Sequence, residues 1–133
     1  MLRTMRRQLS ACLMPSAALA ASLFLFATPV AAQTFMSEDE LLATIPGSTI
    51  DGKTDQGEKW VQAYSAFDGK KKKGVIAGKS GGADFKSKWY VENGQWCENW
   101  GDGHACFQVE RVSKKELRMY RDGKARPNLW VLR

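Results

Sequence analysis

Trp89-Tyr90-Val91-Glu92-Asn93-Gly94-Gln95-Trp96-Cys97-Glu98-Asn99-Trp100-Gly101-Asp102-Gly103-His104-Ala105-Cys106-Phe107-Gln108-Val109 reads as three antiparallel strands joined by two tight turns. Asn-Gly is a strong hairpin signal because both residues tolerate the positive φ of a type I′ turn. A two-residue turn at Asn93-Gly94 sets Glu92 against Gln95, Val91 against Trp96 and Tyr90 against Cys97. A second at Gly101-Asp102 sets Trp100 against Gly103 and Cys97 against Cys106. The competing turn, Asp102-Gly103, sets Cys97 against Gln108 and forbids a bridge between the cysteines. A disulfide therefore selects the register.

Bonding parity agrees. Counted from each turn, Cys97 falls in a hydrogen-bonded pair with Tyr90 and a non-hydrogen-bonded pair with Cys106, the alternation a central antiparallel strand requires. The faces agree too. One collects Phe85, Trp89, Val91, Trp96, Trp100, Ala105, Phe107 and Val109; the other collects Lys86, Lys88, Tyr90, Glu92, Gln95, Asn99, His104, Gln108 and Glu110. A one-residue slip of any strand mixes the two sets. The aromatic face is the expected core, and the disulfide is expected on the solvent face. A loop this short gives the bridge about 2–3 kcal/mol, a large share of the ~5–15 kcal/mol typical of a domain.

Working outward, turn signals recur at Asp55-Gln56-Gly57, Asp68-Gly69, Gly81-Gly82 and Asp122-Gly123. Between them lie runs rich in β-branched and aromatic residues, implying strands at about 48–54, 58–66, 72–78, 85–92, 95–100, 104–111, 116–121 and 125–132. Ser37-Glu38-Asp39-Glu40 is a capping-box pattern. Leu41, Leu42 and Ile45 follow at helical spacing and Pro46-Gly47 ends the run, so one short helix is predicted over 38–45. The fold class is all-β: an antiparallel meander of about eight short strands after one short helix. It forms either a small lipocalin-like barrel or a curved open sheet. Pro127 marks the last strand as an edge or a bulge site.

The N-terminus is different in kind. Arg3, Arg6 and Arg7 precede an uncharged apolar stretch from Ala11 to Val30, and Val30-Ala31-Ala32 offers small residues at the positions a signal peptidase reads. Residues 1–32 are predicted to be a secretory signal peptide, with a single β domain over 33–133. An uncleaved anchor is the alternative; with cleavage no transmembrane segment is left. Leu9-Ser10-Ala11-Cys12 precedes the apolar stretch, the wrong place for a lipobox, and two adjacent arginines are too little for a twin-arginine signal.

Cleavage changes the composition. The segment holds three of the 20 basic residues and none of the 14 acidic ones, so the formal charge falls from +6 to +3. Nucleic acid is not an expected partner of an exported chain with so small a charge. Cys12 leaves as well, and the two remaining cysteines, Cys97 and Cys106, read as one disulfide in an oxidising compartment. The expected location is periplasmic or secreted.

The stretch Trp89-Tyr90-Val91, Gly94-Gln95-Trp96-Cys97-Glu98-Asn99-Trp100 and Cys106-Phe107-Gln108-Val109, followed by an Asp-Gly turn, resembles an uncharacterised proteobacterial family of small exported proteins, domain of unknown function 995. The acidic helix, Gly47-Ser48-Thr49 and the Tyr64 to Asp68-Gly69 hairpin fit it as well. The resemblance implies export and a small β fold, and it brings no catalytic residues.

Chemistry-bearing motifs are few. Both remaining cysteines are bridged, and a single histidine makes a His/Cys metal site hard to build. No phosphate loop, paired-His motif or calcium loop is present. No cofactor is expected, and His104 reads as a solvated loop histidine. Glu98 is the odd residue, a carboxylate on the aromatic face opposite Trp89. The expected reading is a carboxylate near a barrel mouth, paired with an arginine or wet. The alternative is an interior carboxylate that orients a ligand among Trp89, Trp96 and Trp100. Lys70, Lys71, Lys72 and Lys73 read first as a solvated hairpin and second as a contact for anionic lipid or polysaccharide. Arg126, Trp130 and Arg133 are left without a role.

Together these features predict a non-enzymatic exported β domain that binds a small ligand or an envelope component. The alternatives are a protein-binding module, such as an inhibitor of a secreted or periplasmic enzyme, and then a hydrolase using two carboxylates.

Overall fold

A computed structural model describes residues 32–133. Of the predicted signal peptide, residues 1–31 lie outside the described residues. The remainder holds one helix, α1 (Glu38–Thr44), and nine strands: β1 (Thr49–Lys53), β2 (Lys59–Tyr64), β3 (Lys73–Ser80), β4 (Ala83–Glu92), β5 (Gln95–Asn99), β6 (His104–Arg111), β7 (Glu116–Arg121), β8 (Lys124–Ala125) and β9 (Trp130–Leu132). Among the described residues no helix is long and apolar enough to cross a membrane.

β1 to β7 pair antiparallel in chain order. β9 then pairs with both β7 and β1, which closes an eight-stranded barrel. The open-sheet alternative is overturned. The meander follows from the turns: Asn93 (φ 52°) with Gly94 (φ 71°), and Asp122 (φ 51°) with Gly123 (φ 75°), adopt the left-handed conformations of type I′ hairpins. Trp100 N–H donates to the Gly103 carbonyl at 2.9 Å, and Cys97 pairs with Cys106, as the register requires.

The last strand departs from the prediction. Instead of one strand over 125–132, the chain makes β8, leaves the ladder and returns as β9. Tyr120 pairs with Ala125 and Leu117 with Trp130, so three steps along β7 face five along the returning chain. Two extra residues are looped out around Pro127, which has no N–H to give a ladder. The bulge is pinned from the side, where the Asn128 side-chain amide donates to the Thr54 carbonyl at 2.9 Å.

Helix α1 is fixed by its capping box: Ser37 N–H donates to Glu40 Oε2 at 2.7 Å and Glu40 N–H to Ser37 Oγ at 3.3 Å. Leu41, Leu42 and Ile45 join the barrel core. Around the helix, Met36 N–H donates to the Val109 carbonyl, Gly47 N–H to the Tyr64 carbonyl and Arg111 to Thr44. These partners lie at one end of β2 and β6, and α1 plugs that end. The other end is a mouth.

Inward positions of β1 and β3 carry glycines where the neighbouring strand sends in a ring. Gly52 pairs with Trp60, Gly74 with Trp89 and Gly78 with Phe85. A Cβ at any of the three would run into the partner's ring. The missing side chain is what admits the aromatic.

Candidate functional site

A cavity of about 310 Å³ opens at the mouth, away from α1. Its walls are Trp60, Trp100, Phe107 and Trp130, and its depth reaches Gln62, Glu98 and Met119. Trp130 ties the walls together, 5.4 Å from Trp60 and 6.1 Å from Phe107 between ring centroids. The β8–β9 bulge brings Arg126 and Asn128 to the rim beside Lys53, Thr54 and Asp55. There Arg126 Nη2 holds Asp55 Oδ2 at 2.7 Å.

Glu98 is 3 % exposed. Its Oε1 accepts from the Tyr64 hydroxyl at 3.1 Å and from the Trp96 indole N–H at 3.3 Å. Among the described residues it has no ion-pair partner, so the expected pairing with an arginine is not found. Burial pushes its carboxyl up to about 7, against the opposite pull of hydrogen bonds from Trp96, Tyr64 and Trp100. Burial, followed by the charge of Glu98, drives the Tyr64 hydroxyl well above its ordinary range, so it stays protonated.

Proton counting adds a constraint. The Tyr64 hydroxyl has one hydrogen but touches two acceptors, Glu98 Oε1 and Gln62 Oε1. With Glu98 protonated the count closes, because its O–H donates to Tyr64 and Tyr64 donates to Gln62. With Glu98 ionised it closes when the Gln62 amide is turned and its NH₂ faces Tyr64. Protonation of the floor is thereby coupled to the orientation of Gln62.

The sequence-predicted site residues divide. Glu98 and Trp100 line the cavity. Trp89 and Trp96 do not: both are fully buried and stack on one another, centroids 5.1 Å and planes 18° apart. Trp89 instead donates to Ser65 Oγ at 3.2 Å. These two indoles are solid core, so of the three tryptophans in the alternative reading of Glu98 only Trp100 lines the cavity, which lies at the mouth. Trp60, Gln62, Tyr64 and Trp130 were missed.

The four lysines are exposed. Lys70 and Lys71 give their backbone N–H groups to Asp68 Oδ1, Lys72 pairs with Glu38 of α1, and Lys73 begins β3. The disulfide joins Cys97 and Cys106, whose Cα atoms are 4.0 Å apart. It sits on the outer wall, the face expected from the register, with Cys97 buried and Cys106 half-buried there. Tyr90 lies over it, with its hydroxyl 3.8 Å from Cys106 Sγ and 2.8 Å from His104 Nδ1. Among the described residues no group of three or more His, Cys, Asp or Glu is placed to hold a metal ion.

Fold and site together define a closed eight-stranded antiparallel barrel, plugged at one end and hollow at the other, with a buried carboxylate at the floor. No family model, curated protein or solved structure matched the chain.

Proposed function

We propose that this is an exported, non-enzymatic barrel that binds a small ligand in its mouth. The observation that carries the reading is Glu98, a carboxylate held without a counter-ion at the bottom of an aromatic-walled cavity. A fold keeps an uncompensated buried carboxylate at a cost to stability, and such groups concentrate at functional sites. The cavity has the usual form of a ligand site, apolar walls with a few convergent polar groups.

Binding is favoured over hydrolysis because the cavity holds two carboxylates, Glu98 and Asp55, and Asp55 is engaged by Arg126. Export is supported by the arginine-led apolar N-terminus and by the Cys97–Cys106 pair, which suits an oxidising compartment. Membership of the domain-of-unknown-function 995 family is proposed on the motifs around Trp89 to Val109.

The test is native mass spectrometry and tryptophan fluorescence of the protein exposed to envelope extract. A small molecule that quenches the mouth indoles and loses at least tenfold in affinity in Trp100→Ala and Glu98→Gln supports the reading. Extract components that bind equally well to both variants contradict it.

A further inference from the structure

The charges around the cavity point to the kind of ligand it takes. At the mouth, Arg126 and Asp55 satisfy each other and Lys53 stands at the rim. At the floor Glu98 faces neutral groups from every side: Gln62 and Tyr64 of β2, Trp89 across the pair on β4, Trp96 and Trp100 on its own chain segment, Ala105 opposite on β6 and Met119 of β7. The deep end is therefore negative whenever Glu98 is ionised, and no described cation reaches it.

We propose that the ligand is a small organic cation, an amine or amidine on a compact apolar body, with its charged nitrogen on Glu98. This deepens the ligand-binding reading above and rests on it. The hydrogen bonds from Tyr64 and Trp96 both end on Oε1, so Oε2, with the Trp100 indole beside the carboxylate, has room to accept a donor from the ligand. The walls suit the same guest, because Trp60, Trp100, Phe107 and Trp130 offer apolar surface to its body and an aromatic ring whose face is presented attracts a cation. A cavity of about 310 Å³ is at the small end of ligand sites, which span ~300–1,000 Å³. An anionic guest would bury a second negative charge beside the first, and a neutral one would leave the ionised carboxylate without a partner.

Proton linkage follows. A cation needs the ionised carboxylate, whereas the empty site is half protonated near pH 7. Apparent affinity is multiplied by the ionised fraction, so it is about tenfold weaker near pH 6 than near pH 8. Binding in the acidic range expels a proton.

Three probes of one shape test this: phenethylamine, phenethyl alcohol and hydrocinnamate, a cation, a neutral molecule and an anion. Each is titrated into the protein near pH 6 and near pH 8, following the indole N–H signals of Trp60, Trp100 and Trp130 by NMR, with calorimetry in two buffers to count protons. The expected result is saturable binding of the amine alone, about tenfold tighter at the higher pH, with proton release at the lower. Glu98→Gln, checked for an unchanged amide spectrum, abolishes both the preference and the pH dependence. Binding of the alcohol or the carboxylate at least as tightly as the amine overturns the cation inference and leaves the ligand pocket standing. So does amine binding that Glu98→Gln does not alter. If no probe moves the mouth indoles, the pocket reading falls as well.

Discussion

The Tyr64 hydroxyl of β2 meets Glu98 Oε1 of β5 at 3.1 Å, joining two strands that are not neighbours in the sheet. This contact crosses the barrel interior and marks where core ends and cavity begins. Beyond it toward α1 lie the stacked Trp89 and Trp96; on the other side lies the mouth.

Glu98 should make the protein less stable as pH rises. Its folded pKa of about 7 lies above the ordinary 4.5, so the folded state holds the proton more tightly. The stabilisation is fully present below the unfolded value and is lost as pH climbs through 7, at a cost of about 3 kcal/mol. Urea unfolding near pH 5 and near pH 8 measures it. Glu98→Gln should flatten the difference to within ~1 kcal/mol; an equal slope in the variant contradicts the burial of an unpaired carboxylate.

At lower pH the sign reverses. A side-chain hydrogen bond from Arg133 holds the Asp51 carboxyl below its usual range, and backbone N–H groups of Lys70 and Lys71 do the same for Asp68. Groups with depressed pKa values stabilise above their unfolded values and stop doing so as acid protonates them. Arg133→Gln should shift the acid unfolding midpoint upward, and an unchanged midpoint would show that the exposed Arg133–Asp51 pair adds nothing.

Reduction of the Cys97–Cys106 bridge, or the paired substitution of both residues by serine, should cost about 2–3 kcal/mol, given the nine-residue separation. Chemical denaturation with and without reductant measures it. A loss under ~0.5 kcal/mol would mean the hairpin is already closed without the bridge.

Gly74→Ala drives a methyl group into the Trp89 ring and should destabilise the core by ~1–3 kcal/mol. Gly52→Ala meets Trp60 instead, so it should weaken ligand binding by displacing a wall of the cavity. Gly103→Ala is the control: its φ is not in the left-handed region and nothing lies within 4 Å of the new methyl. Similar destabilisation by Gly103→Ala would contradict the close-approach explanation.

None of Lys70, Lys71, Lys72 and Lys73 lines the mouth cavity, so replacing all four by glutamine should leave pocket binding unchanged. Retention of the wild-type protein on anionic vesicles that falls with salt and vanishes in the variant would instead favour an envelope-surface contact.

Legibility followed sequence distance. Turn chemistry and inward–outward alternation determine the Trp89-to-Val109 sheet, because each of its contacts lies a few residues from a tight turn. Glu98 stood out there as a polar residue between Trp96 and Trp100. Trp60-Val61-Gln62-Ala63-Tyr64 carries the same signature, a polar inward residue between two aromatic ones. Its meaning depends on meeting Glu98 across the barrel, and no local register reaches that far. Alternation puts a cavity deeper than the one found for a related reason: it sorts Trp89, Trp96 and Trp100 onto one face without saying that two of them stack. The bulge that brings Arg126 and Asn128 to the mouth was foreshadowed by Pro127, though not the two residues it loops out.

Carbon-detected NMR titration of the Glu98 side-chain carboxyl in the ligand-free protein bears most directly on the floor of the cavity. The carboxyl should titrate with a midpoint of about 7, and the Trp96 indole N–H signal should move with it. A midpoint at the ordinary carboxylate value of 4.5, with an unresponsive Trp96, would show a solvated carboxylate and contradict the site.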